Sequence, residues 1–103
     1  MTVDQEKAKK AYLLLEELLT ILEEGGEKNW FRGIKAASQE LVDSSGFVAE
    51  AKFDDARSIY NTMTAGGRGF SEFFFWNDDE DKRISINRKL DSLRRQIWKT
   101  FNE

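Results

Sequence analysis

Apolar side chains recur along this chain at spacings of three and four residues, and four separate stretches carry the repeat. In residues 4–24, Ala8, Ala11, Leu15, Leu18 and Leu22 form one stripe, which Tyr12, Leu14, Leu19 and Ile21 widen. A stripe that wide suits a helix in contact with more than one neighbour. Gly25 and Gly26 supply its stop. Residues 29–43 repeat the pattern with Trp30, Ile34, Ala37 and Leu41, and Gly33 beside them permits close approach of another helix. Asp43, Ser44, Ser45 and Gly46 read as a turn that offers an N-cap to a third helix over 47–64. The stripe of that helix is Ala49, Phe53, Ala56, Tyr60 and Met63. A fourth helix over 78–101 carries Ile86, Leu90, Leu93, Ile97 and Phe101, broadened by Trp98. Asn77 followed three residues later by Glu80 matches a capping box. Asp78, Asp79, Glu80 and Asp81 fill the first turn, where the helix dipole favours negative charge.

Four amphipathic helices joined by short turns within 103 residues predict an all-α, four-helix bundle-like single domain over 1–103. The absence of proline leaves those helices uninterrupted. One connection breaks the pattern. Residues 66–76 combine three glycines around Arg68 with Phe70, Phe73, Phe74, Phe75 and Trp76. So aromatic a segment is not expected to float in solvent, and one short strand has no partner elsewhere in the chain. The expectation is an ordered crossover packed on the bundle between the third and fourth helices. Consecutive aromatics point in different directions, so most are expected in the core and at least one at the surface.

The chain has neither histidine nor cysteine. The usual general base near neutral pH, the commonest metal ligand, thiolate chemistry and disulfides are all missing. Glu16, Glu17, Glu23 and Glu24 suggest a di-metal helical bundle, but such sites need a Glu-x-x-His pair. No paired acid and base is legible, so an enzyme is the least expected class, with no catalytic residue, metal or cofactor. No apolar run approaches the length of a membrane span, and the first residues are polar and acidic; the expected location is cytoplasmic, with no membrane partner.

Charge is unevenly spread. Residues 82–103 hold seven Lys or Arg against Asp91 and Glu103, whereas residues 1–28 hold seven acids against four bases. The chain as a whole carries −3, which argues against a nucleic-acid footprint. Neutralisation of the basic helix by acidic neighbours is the preferred reading. The glycine turn lacks the strand-then-helix setting and the Lys-Ser/Thr ending of a P-loop, and glycine after a helix commonly serves as a left-handed cap. A small-ligand sensor that holds an anion at this turn is a third possibility.

Phe53, Ile59, Tyr60, then Gly66-Gly67-Arg68-Gly69-Phe70-Ser71-Glu72, then Leu90, Asp91, Leu93, Ile97 and Trp98 form a pattern that resembles a family of small all-helical bacterial proteins of unknown function with a Gly-Gly-x-Gly turn. The chain departs from that pattern at Arg68 and Phe70. Proteins of this kind look like immunity-type or accessory proteins of bacterial toxin loci. The resemblance implies a non-catalytic, antitoxin-like protein that occludes the surface of a cognate toxin. The residues expected at such a contact are Trp76, Asp78, Asp79 and Asp81, with Arg68 next. Charge reversal at Asp78 and Asp79 is expected to weaken the complex with little effect on thermal stability. The alternative is a self-associating structural or adaptor module with residues 70–76 in a homodimer interface.

Overall fold

The computed structural model describes residues 5–65 and 69–103. Helices α1 (Gln5–Glu24), α2 (Asn29–Glu40), α3 (Phe53–Thr64) and α4 (Glu80–Asn102) form an all-α bundle. α1 packs against α2 on one side and α4 on the other, and α3 lies on α2 and more loosely along α4. The two-sided contact of α1 accounts for its wide stripe: Ala8, Ala11, Leu15, Leu18 and Leu22 are fully buried, and Leu14, Leu19 and Ile21 nearly so. Ile34, Ala37, Leu41, Phe53, Ala56, Tyr60, Leu90, Leu93, Ile97 and Phe101 fill the opposing faces. Gly33 lies in close contact with α3: a Cβ there would stand 2.5 Å from the Met63 sulfur, on the movable end of that side chain. Polar ties supplement the packing. Ser38 Oγ donates to Glu16 Oε1 at 3.0 Å between α2 and α1, and the Asn61 and Asn102 amides bond each other reciprocally between α3 and α4.

Three helix boundaries differ from the periodicity. α2 stops at Glu40 rather than 43. α3 begins at Phe53 rather than 47, because residues 41–49 form a tight hairpin-like turn. Val42 and Val48 make an antiparallel bridge, Asp43 N donates to Phe47 O, and Ala49 N donates to Leu41 O. The Asp43 carboxylate accepts from Ser45 N and Phe47 N, so it caps this turn instead of a helix. Gly46 has φ +85°, a conformation that favours glycine. β-branched valines that pair across a glycine turn outweigh the helical phase of Ala49. At α4 the N-cap is Asp79, whose side chain accepts from Lys82 N at 3.1 Å, and not Asn77. Asn77 Oδ1 instead accepts from Asp79 N and turns the chain into the helix. Trp98, assigned by the periodicity to the edge of the apolar stripe, is 47% exposed.

Candidate functional site

The connection from α3 to α4 is built from the chain outward. After α3 the backbone turns through a short 3-10 segment, Phe70–Glu72. Gly69 opens it with extended backbone, and glycine is required there by crowding: a Cβ would lie 2.5 Å from Ala65 O and 2.6 Å from Met63 O. The left-handed cap expected of this turn is therefore not the role of Gly69. Gly66, Gly67 and Arg68 lie outside the described residues, and with them the anion site proposed for the turn and the Arg68 contact.

Phe70 anchors the crossover. Its ring is fully buried, 5.5 Å from the Trp30 ring, 6.5 Å from Tyr60 and 6.1 Å from Phe73 between centroids. From Phe73 onward the side chains alternate with the period of a strand. Phe73 is half-buried and Phe75 buried, while Phe74 and Trp76 are 63% and 72% exposed. Phe75 reaches the far end of α1, where a Cβ on Gly25 would collide with its ring at 2.3 Å. The aromatic segment is thus divided between core and surface residue by residue.

One face of α4 holds this segment in place. Arg94 Nη1 donates to Phe70 O and to Phe73 O, both at 2.6 Å, and its guanidinium stands 5.5 Å from the Phe70 centroid. Asp91 pairs with the same guanidinium from one turn earlier. The Asn87 side-chain amide meets both backbone groups of Phe75: its Oδ1 accepts from Phe75 N at 2.8 Å, and its Nδ2 donates to Phe75 O at 3.0 Å. Arg83 Nη1 donates to Asn77 O at 3.2 Å. Positions 83, 87 and 94 share one side of the helix, so three α4 side chains take the part that a neighbouring strand would play.

Beyond these pins stand the residues singled out for contact. The Trp76 ring is exposed but oriented: the Arg83 guanidinium lies 4.7 Å from its centroid, and its Nε1 donates to Asp78 Oδ1 at 3.2 Å. Asp78 and Asp81 are exposed and lie within a few residues of that ring. Asp79 is also exposed, but its carboxylate caps α4 and so has a structural duty. Trp76, Asp78, Asp79 and Asp81 are thereby gathered at the start of α4, and Phe74 joins them. Periodicity missed Phe74, Asn87 and Arg94. The alternation of an isolated strand within a bundle would have selected Phe74. Asn87 and Arg94 have no sequence signal beyond being polar residues next to the apolar stripe.

Other features are less suited to a site. A concavity of about 550 Å³ is an open groove between α1 and α4 lined by Glu17, Glu24, Lys89 and Gln96 among others. No cluster of acids that could hold a metal ion occurs among the described residues. No described helix is long and apolar enough to cross a membrane. Burial raises the Tyr60 hydroxyl well above its ordinary value, against a smaller opposing effect of the Arg94 charge; its O–H donates to Arg94 O at 3.2 Å. It is thus held as a neutral donor at the foot of the crossover. Among the described residues, Lys52 pairs with Glu40, Arg57 with Asp54 and Arg94 with Asp91, and none of these three pairs joins α1 to α4.

Comparison with known proteins finds no matching family model, no similar curated protein and no similar solved structure. The class that fold and site define is a small helical bundle with an aromatic crossover displayed on one side.

Proposed function

We propose that the protein is a non-catalytic protein-binding domain whose contact surface is Phe74 and Trp76 within an acidic rim. The observation that carries this reading is the ordered exposure of Trp76. A tryptophan 72% in solvent is held by a cation–π contact and a hydrogen bond on a segment pinned from beneath. Large rings fixed in advance bind with little loss of side-chain freedom, and tryptophan is favoured among the residues that dominate interface energy. Glu72 precedes these rings in the chain and Asp78, Asp79, Glu80 and Asp81 follow them, all exposed, so the complementary partner surface is basic.

Occlusion of a basic protein surface is an immunity-type role, in keeping with the resemblance noted in the sequence. A cognate toxin with a positively charged substrate site is the partner this reading selects. The test is retention of a partner from the native host on immobilised wild type, Trp76→Ala and Phe74→Ala proteins. The expected result is one basic protein held by the wild type and lost at least tenfold by both variants, with melting temperatures within a few degrees of each other. A tenfold loss corresponds to about 1.4 kcal/mol, below the ~2 kcal/mol typical of a dominant interface residue. Equal retention by all three would overturn the assignment of this surface.

A further inference from the structure

The pins on the crossover use only half of its backbone. The carbonyls of Phe73, Phe75 and Asn77 are all taken by α4, through Arg94, Asn87 and Arg83, and the Phe75 N–H is taken by Asn87. The N–H and C=O groups of Phe74 and Trp76, by contrast, have no hydrogen-bond partner among the described residues. In a strand, successive residues direct their backbone groups to opposite edges. Odd positions therefore face α4, and the even ones form a second edge with four open groups. Exposed strand edges are templates for further strands. Many proteins blunt such an edge with proline or lysine; residues 73–77 contain neither.

From this we infer that residues 73–77 accept an extended segment of the partner as an added β-strand, with basic side chains on that segment. The inference rests on the protein-binding reading above and specifies how the contact is made. Charge decides between possible occupants. Glu72 precedes the edge, and Asp78, Asp79, Glu80 and Asp81 follow it. A second copy paired antiparallel would set those four acids beside the Glu72 of the first, and a parallel copy in register would set acid against acid. Like charges facing across a strand pair are destabilising. A lysine- or arginine-bearing strand meets acids at both ends in either direction. Its alternate side chains lie against the outward rings of Phe74 and Trp76.

The test uses the intact protein and a capped ten-residue peptide alternating lysine and valine. Binding is followed by intrinsic tryptophan fluorescence and by amide exchange in NMR. At saturation the Phe74 and Trp76 amides are expected to exchange about tenfold more slowly or better, as hydrogen-bonded amides do. A peptide with glutamate for lysine is expected to bind at least tenfold more weakly. A peptide N-methylated at every residue keeps its charges and carbonyls, but its methyl groups obstruct the close approach of two strand edges, and it is expected to give no protection. Fluorescence that saturates while both amides keep their free rates would overturn strand addition and leave the aromatic contact surface standing. No response of either probe up to millimolar peptide would also overturn strand addition. The protein-binding reading would then be decided separately by the retention experiment with Trp76→Ala and Phe74→Ala.

Discussion

Asn87 shows how much a single side chain decides in this molecule. A carboxamide carries a donor and an acceptor at the separation found in a peptide unit, and it satisfies both backbone groups of Phe75. Asn87→Ala would leave a partly buried N–H and C=O unpaired, at about 1–3 kcal/mol for each such group. The expected loss is about 2 kcal/mol of unfolding free energy in urea, together with greater mobility of Trp76 in NMR relaxation of its indole N–H. Arg94 acts similarly: its Nη1 serves the Phe70 and Phe73 carbonyls while Nη2 holds Asp91, a planar arrangement that lysine's single nitrogen does not reproduce. Tyr60 gives the residue scale a pH signature. Its hydroxyl ionises at a higher pH in the folded chain than in the unfolded one. Its contribution to stability is thus complete below about pH 10 and declines as pH rises above that value. Tyr60→Phe removes one hydrogen bond, about 1 kcal/mol at neutral pH, and should flatten that part of the alkaline decline. Denaturant melts of both proteins at pH 8 and pH 11 measure it.

At the scale of elements, the helices were legible because their cores are made by repetition. The α1 stripe is buried apart from half-buried Tyr12, and so are Ile34, Ala37, Phe53, Ala56, Tyr60, Leu90, Leu93, Ile97 and Phe101, since spacing alone places them on one face; Trp30, Met63 and Ile86 of the same stripes are half-buried. The start of α3 was not legible. Ala49 is in phase with Phe53, but the Val42–Val48 bridge and the Asp43 cap depend on tertiary pairing that a helical period does not register. The crossover lies between these cases. Its aromatic content announced an ordered segment with some exposed ring, yet which rings face outward follows from strand-like alternation imposed by α4. Among the contact residues, Trp76, Asp78 and Asp81 were legible as an aromatic followed by acids, whereas Phe74 was not. The glycines separate space from flexibility. Gly33→Ala meets only the movable end of Met63 and gains helix propensity, so a change within about 1 kcal/mol of zero is expected. Gly69→Ala meets two backbone carbonyls and should be clearly destabilising, by about 2 kcal/mol or more. Thermal denaturation of the pair separates the two mechanisms.

Across the whole molecule, charge is polarised along α4. Its first turn and the residues before it are acidic, while Arg88, Lys89, Arg94, Arg95 and Lys99 follow. Acids beside the exposed rings favour encounter with a basic partner and accelerate association at low salt. Glu80→Lys with Asp81→Lys should therefore slow association several-fold at low ionic strength and little at high salt, with stability lowered by less than about 1 kcal/mol through the helix dipole; Asp78 is left in place because its carboxylate holds the Trp76 indole. Asp79 does not belong in that experiment, although it sits in the same run of acids. It caps α4, so Asp79→Lys should cost about 1 kcal/mol of stability and confound the reading. Stopped-flow association across a salt series, paired with thermal melts, distinguishes the two kinds of acidic residue.

The arrangement at the centre of this account is a crossover held by α4 on one edge and open on the other. Amide hydrogen exchange of the free protein, resolved by residue across 73–77, tests it most directly. The Phe75 amide, bonded to Asn87, is predicted to be protected, while those of Phe74 and Trp76 exchange near the rate of an unstructured chain. Uniformly rapid exchange through Phe75, or protection of Phe74 and Trp76 equal to that of Phe75, would contradict it.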